Sequence, residues 1–464
     1  MTSRMRVWML MSRVFNHPSA AVRWRSAPLR LFCSSSSGEE KPRHSMLRHL
    51  TSKIKATGPI TVAEYMREVL TNPVTGYYVR NNMLGPDGDF ITSPEISQIF
   101  GELVGVWILS EWMGAGRPQQ LQLVELGPGR GSLASDVLRV LDQLRSVLGG
   151  ASVSLHLVEV SPALSLIQAQ TLTGSSSQEE TREEETSQEE SREEETSQEE
   201  EEGVYRRGVT AGGLPVSWYH RLEDVPKGFS IFLAHEFFDA LPIHKFQRTP
   251  KGWREVMVDI HPNKQDQLRF VLLPSPTLAS STLIQEEERR PHVEVCAEGG
   301  VLVQLLSRRI QEDGGAALIA DYGHDGTKTD TFRGFKGHRL HDVLTSPGAA
   351  DLTADVDFSF LRRMAEGGVA CLGPVTQRLF LRNMGIDSRM QVLLRSCSSA
   401  STRQQLISSY DMLMSPSQMG ERFLFFCLLQ RSRIATPAAP RGLTLEKKSP
   451  APLPVAGFTE LTFS

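Results

Sequence analysis

Between residues 92 and 430, short aliphatic runs alternate with longer segments whose apolar positions recur every three or four residues. The first kind reads as buried strand and the second as amphipathic helix. One run, Leu121-Gln-Leu-Val-Glu-Leu126, stops at three glycines, Gly127, Gly129 and Gly131. A helical stripe follows through Leu133, Val137, Val140, Leu141, Leu144 and Leu148, and then a second strand from Ser152 to Val160. Further strands are expected at 229–234, 253–260, 268–273, 315–320 and 423–430, with helices at 301–312, 358–365 and 401–414. Upstream, Thr92-Ser-Pro-Glu95 opens one helix along Ile96, Ile99, Phe100, Leu103, Val104, Trp107 and Ile108. Thr92 or Ser93 caps it, Pro94 suits the first turn, and Glu95 favours the positive end. Strands and helices in alternation predict an α/β fold: a mostly parallel, doubly wound, Rossmann-like sheet that binds ligands beyond the carboxyl ends of its strands. The pair 253–273 looks antiparallel and is expected to leave that sheet, within a substrate-side insertion near 245–300. Residues 45–120 read as an N-terminal helical cap segment and 121–432 as the main domain.

Composition adds boundaries. The 464 residues, 40% hydrophobic and 22% charged, suffice for a large core. No apolar run reaches membrane-spanning length, so no membrane span is expected. Five cysteines (33, 296, 371, 397 and 427) are scattered, which fits a reducing compartment and gives no disulfide framework or zinc site. The first 32 residues hold six arginines, no lysine and no acid. That composition predicts a mitochondrial presequence over about 1–37. Residues 174–202 are low complexity, and Glu179 to Glu202 holds 14 glutamates and two arginines, leaving the rest of the chain at net +8. This stretch predicts a disordered acidic insertion. Prolines 437, 440, 450, 452 and 454 predict a disordered tail over 433–464.

The glycine loop carries the chemistry. Strand, Gly-rich turn and helix form half of a mononucleotide-binding unit, in which glycine admits close approach and the helix N-terminus offers N–H donors. The spacing is G-x-G-x-G, not the G-x-G-x-x-G of dinucleotide sites, and the next acid, Glu159, comes later than that pattern requires. Glu159, at the end of the second strand, is placed to accept both hydroxyls of a ribose. Glu125, two residues before the first glycine, would repel a diphosphate and suit an α-ammonium group. A zwitterionic nucleoside such as S-adenosylmethionine meets both conditions.

Later strands also end in acids. After 229–234 comes His235-Glu-Phe-Phe-Asp239, which places Glu236 and Asp239 over the same crevice. Two carboxylates there suit a guanidinium, which presents paired N–H donors; a helix cap and a salt bridge are the plainer roles. Phe237 and Phe238 read as core or as a wall of the nucleoside site. Asp321, His324 and Asp351 follow the strand at 315–320, as substrate contacts or as loop braces. His338 and His341 lack the acid that would complete a metal site, so none is expected.

Gly88-Asp-Phe-Ile-Thr-Ser-Pro-Glu-Ile-Ser-Gln-Ile-Phe-Gly-Glu102, Val124-Glu-Leu-Gly-Pro-Gly-Arg-Gly131, Ala234-His-Glu-Phe-Phe-Asp-Ala-Leu-Pro242, Asp321-Tyr-Gly-His324 and Asp351-Leu-Thr-Ala-Asp-Val-Asp-Phe358 together resemble the MidA-like family. The likeness runs in order from about Ser45 to Leu429. It implies a class I S-adenosylmethionine-dependent protein arginine methyltransferase of the complex I assembly factor type. By that resemblance the protein dimethylates symmetrically an arginine of the 49-kDa complex I subunit in the mitochondrial matrix. It further implies that Gly127, Gly129 and Gly131 line the methionine portion of the cofactor and Glu159 its ribose. Glu236 carries over as an acceptor-binding carboxylate, although better-known arginine methyltransferases use two glutamates where this segment offers Glu and Asp. A competing reading is a non-catalytic assembly chaperone that retains the fold. The glycine spacing and Glu125 argue against an NAD-linked oxidoreductase. Without a basic stripe carrying interleaved aromatics, nucleic acid is not an expected partner.

Overall fold

The computed structural model describes residues 41–79, 92–174, 178–179, 203–365, 367–434 and 454–459. The expected presequence, nearly all of the acidic insertion and most of the expected tail lie outside the described residues. Strands β1 (Gln120–Leu126), β2 (Ser152–Val158), β3 (Pro215–Tyr219), β4 (Ser230–His235) and β5 (Gly315–His324) run parallel in the order β5-β4-β1-β2-β3. β6 (Val369–Thr376) lies at one edge, and β7 (Phe423–Gln430) runs antiparallel between β5 and β6. Val204–Val209 extends the other edge antiparallel to β3. This is the class I methyltransferase arrangement, with β1 at the point where the strand order reverses.

Alternation along each strand builds two cores. Leu121, Leu123, Ile231 and Leu233 face one side, where α1 (Gln98–Gly114), α2 (Ser132–Gln143) and α3 (Pro162–Thr173) pack. Val124, Leu126, Phe232 and Ala234 face the other, against the helices Ala297–Asp313 and Phe358–Met364. Every residue of α1 from Ile99 to Met113 is buried. A helix covered all round needs its charges paired, and Glu102 meets the buried Arg389 at 2.9 and 3.1 Å.

Four features depart from expectation. The helix expected from residue 92 is two, Ser93–Ile96 and α1, because extended Ser97 (φ −156°) breaks it and its hydroxyl accepts from Ile99 N–H at 3.3 Å. Leu144 divides the next expected helix into α2 and the short turn Arg145–Leu148. The strands Val204–Val209, Pro215–Tyr219, His244–Thr249, His292–Val295 and Val369–Thr376 carry weak apolar patterns and were not expected. Residues 454–459 fall in the stretch expected to be a disordered tail, yet Val455 and Ala456 are buried and Asn383 Nδ2 donates to Gly457 O at 2.9 Å.

The antiparallel pair 253–273 does leave the main sheet. Gly252–His261 and Lys264–Leu272 join Ile60–Thr61, His244–Thr249 and His292–Val295 in a separate antiparallel sheet, against which the helices Lys41–Thr57 and Val62–Thr71 pack. A three-stranded sheet (Arg333–Lys336, Arg339–His341, Asp351–Thr353) follows β5. The first excursion leaves the carboxyl end of β4 and the second that of β5, so both rise on the crevice side.

Candidate active site

Strand register fixes the floor of the site. Leu126 pairs with both Val158 and Ala234, and Ala320 pairs with His235. The next residues on these strands, Gly127, Glu159, Glu236 and Asp321, therefore emerge in a row along one edge of the sheet.

Gly127, Gly129 and Gly131 all have left-handed φ (60°, 54° and 79°), a conformation residues with a Cβ rarely adopt. Gly131 caps α2. Glu125 is buried; one oxygen accepts from Ala134 N–H in the first turn of α2, and Oε2 has no hydrogen-bond partner. Burial pushes its carboxyl up to about 8. A buried carboxylate oxygen without a donor is a place for a ligand cation. The loop thus fits a nucleoside carrying an α-ammonium group. Glu159 is also buried and pushed up to about 7 by burial. Its Oε1 accepts from Ser161 N–H at 2.7 Å and Oε2 from Gln168 Nε2 at 2.9 Å. Gln168 also donates to Gly129 O at 2.8 Å and accepts from Trp218 Nε1 at 3.0 Å, which ties the ribose-side acid to the glycine loop. Each Glu159 oxygen keeps a lone pair for a further donor.

β4 ends in a turn rather than a helix. Glu236 sits at φ +49°, and the N–H groups of Phe237, Phe238 and Asp239 all point at Asp321 Oδ2. Phe237 lies against Gly127, so the acceptor-side turn touches the glycine loop. Phe238 is buried and Phe237 half-buried, which makes Phe238 core and leaves Phe237 on the wall. Glu236 Oε1 accepts from Ser93 N–H at 3.4 Å, joining the Thr92-Ser-Pro-Glu segment to this turn. Behind it His235 is stacked parallel to Phe423 and packs against Phe100. Burial holds His235 down at about 3, so the ring is neutral and offers Glu236 no cation.

The acids are crowded. Burial first, then Asp239, raises Glu236 well above the carboxylate range. Burial raises Asp239 to about 7 although Arg333 opposes it. Asp321 is raised too, by burial and then by Asp239 and Glu236. Tyr78 donates to Asp351 Oδ1 at 2.9 Å, and its carbonyl accepts from Ser161 Oγ at 2.8 Å. Through Ser161, a hydrogen-bonded path connects Glu159 to the acid cluster. Arg333 stacks near Tyr322 and Phe335 and pairs with Asp355 at 2.6 Å.

The other sequence candidates divide. Asp321 braces the turn, and His324 Nδ1 accepts from Thr327 and Lys328 N–H as a loop brace. Asp351 belongs to the cluster. His341 Nε2 bonds to Thr345 O, and among the described residues no group of three His, Cys, Asp or Glu side chains is arranged to hold a metal. Tyr78, Gln168, Tyr322 and Arg333 were missed; Tyr322, next to Asp321 in the quoted Asp-Tyr-Gly-His motif, was the findable one. A cavity of about 410 Å³ lined by Glu111, Phe229, Asp313, Gly315 and Arg433 opens at the amino ends of β4 and β5, away from this chemistry.

A doubly wound sheet of this order, with a glycine loop and acids along its carboxyl edge, defines a class I methyltransferase. Residues 103–375 match the family described as "Putative S-adenosyl-L-methionine-dependent methyltransferase", and the chain belongs to that family. It is 64% identical over 429 residues to "Protein arginine methyltransferase NDUFAF7, mitochondrial" of Danio rerio, covering 92% of this chain and 94% of the relative. The Homo sapiens protein of the same name is 58% identical over 440 residues, covering 95% of each. The crystal structure of a COG1565 superfamily member from Burkholderia thailandensis bound to S-adenosyl-homocysteine shares the fold. Its TM-score is 0.67 at 22% identity, over 85% of this chain and 95% of that one.

Proposed function

We propose that this protein transfers methyl groups from S-adenosylmethionine to an arginine of the 49-kDa complex I subunit, in the mitochondrial matrix, yielding symmetric dimethylarginine and supporting complex I assembly. The names of the relatives, arginine methyltransferases of mitochondria, support arginine as the acceptor and the mitochondrion as the compartment. The observation that carries the acceptor class is the pair of half-buried Glu236 and buried Asp239 beside the glycine loop, with a neutral His235 behind them. Crowded carboxyls are costly to ionise alone, and a guanidinium between them offsets that cost with paired N–H···O bonds.

In this reading Gly127, Gly129 and Gly131 give room to the methionine end of the cofactor, Glu125 meets its ammonium group, and Glu159 meets the ribose hydroxyls. When bound, the cofactor supplies an electrophilic methyl on a sulfonium. Glu236 and Asp239 hold the guanidinium so that one nitrogen lies in line with that methyl. Glu236 would take the proton that the acceptor nitrogen gives up on methylation. A carboxyl raised by burial takes such a proton more readily than an exposed one. The test is incubation of the full chain with methyl-labelled S-adenosylmethionine and recombinant 49-kDa subunit, followed by peptide mass spectrometry. Label on one arginine as symmetric dimethylarginine is expected; an unlabelled subunit would refute the proposal.

A further inference from the structure

Asp321 has no exposed surface, yet its carboxylate is the most heavily bonded in the site. Oδ2 accepts from three consecutive N–H groups, those of Phe237 at 3.1 Å, Phe238 at 2.9 Å and Asp239 at 3.2 Å. Oδ1 accepts from Tyr322 N–H at 2.8 Å. The N–H of Glu236 goes to Ala320 O at 3.0 Å, so β5 holds every backbone donor from 236 to 239. These donors have no helix or strand of their own to satisfy them, and buried N–H groups left unpaired are costly. Glu236 meanwhile stands at φ +49°, a conformation that persists in a non-glycine residue when its surroundings over-determine it. The Asp321 carboxylate supplies that determination.

We propose that Asp321 is a positioning residue for the methyl acceptor. By gathering the three amides it fixes the direction in which Glu236 and Asp239 enter the crevice, without touching the acceptor. This rests on the reading of Glu236 and Asp239 as the acceptor carboxylates. The glycine loop and Glu159 belong to β1 and β2 and meet this turn through the Phe237 ring, so losing Asp321 should weaken cofactor binding far less than it lowers kcat.

The test compares full-length Asp321→Ala and Asp321→Asn with the unaltered protein, measuring S-adenosylmethionine affinity by calorimetry and methylation of the recombinant 49-kDa subunit. Asp321→Ala should lower kcat on the order of 100-fold, the scale of a misplaced reacting group, with a far smaller loss of cofactor affinity. Asp321→Asn keeps an acceptor oxygen without the charge and should recover only part of that loss. Unchanged kcat in Asp321→Ala overturns the proposal, as does a parallel loss of cofactor affinity. Should the alanine variant not fold, Asp321→Asn decides: reduced kcat with cofactor affinity largely retained supports the proposal, and unchanged kcat or a parallel loss of both overturns it. If the unaltered protein methylates no arginine, the functional reading fails by itself. Hydrogen exchange at Phe237, Phe238 and Asp239 then tests Asp321 separately, since unaltered protection in the folded variant would overturn its role.

Discussion

Phe237 lies directly over Gly127: a Cβ built on the glycine would stand 2.6 Å from Phe237 Cδ2, and the glycine itself has φ +60°. A side chain at 127 thus meets two independent obstacles. The left-handed backbone costs a residue with a Cβ about 1–2 kcal/mol, near tenfold in an equilibrium. The ring contact adds displacement of Phe237 from the wall of the site. Gly127→Val should therefore weaken S-adenosylmethionine binding by at least about tenfold in calorimetry. Gly127→Ala combined with Phe237→Ala should recover the steric part and retain the backbone part. A Gly127→Val protein that binds the cofactor like the unaltered one would show that the loop relaxes freely.

Tyr78 links the two halves of the site through different atoms. Its hydroxyl serves Asp351, and its carbonyl serves Ser161 beside Glu159. Tyr78→Phe removes the first bond and leaves the second. Depriving a buried carboxylate of a donor costs about 1–3 kcal/mol. The acceptor KM should rise about tenfold, with cofactor affinity unchanged because Phe retains the carbonyl. Equal losses in both affinities would show that the tyrosine holds the fold as a whole.

The acid cluster sets the pH response. Asp239 is raised from 3.8 to about 7, so the folded protein holds its proton more tightly than the unfolded chain. Its contribution to stability is full below 3.8 and is lost as pH rises through about 7. Glu125 and Glu159, raised to about 8 and about 7, act in the same direction. Without ligands, the denaturation midpoint should fall between pH 6 and pH 8 at constant ionic strength. Guanidinium binding needs the ionised carboxylates and has the opposite slope. The acceptor KM should fall over that interval, and Asp239→Asn should flatten the profile. A KM indifferent to pH would remove Asp239 from acceptor binding.

Much of the site was legible because its residues terminate apolar runs. Gly127, Glu159 and Glu236 each follow the last residue of a buried parallel strand, where side chains must emerge at the carboxyl edge, and Asp321 follows the apolar run 315–320 within β5. Their arrival in one row follows from register, and the alternation along each strand was already visible. Tyr78 and Arg333 were not legible, since neither lies on the parallel strands. Tyr78 reaches Asp351 across 273 positions of chain, and no local pattern encodes such a contact. The role of Asp321 was open for the same reason: an acid after a strand reads alike whether it meets a ligand or three backbone amides. The break at Ser97 was hidden because the apolar stripe continues across it, while the hydroxyl's local bond competes with helix.

Glu102 and Arg389 pin the helical layer behind the sheet, and the pair should respond asymmetrically to substitution. Both are nearly inaccessible and bonded twice, at 2.9 and 3.1 Å. Breaking a buried pair from one side costs about 3–5 kcal/mol, because the remaining charge stays buried without its partner. Glu102 has other help: Gln98 donates to it at 3.0 Å, and Arg139 lies 3.6 Å away. Arg389→Met therefore leaves a carboxylate with a second cation at hand. Glu102→Met deprives both Arg389 and Arg139 of their shared acid. The Glu102 variant should show the larger fall in urea midpoint, and joining both substitutions should recover much of the loss, as an apolar pair of similar volume replaces the ion pair. Equal midpoints for the two single variants would mean that Arg139 does not share the charge of Glu102.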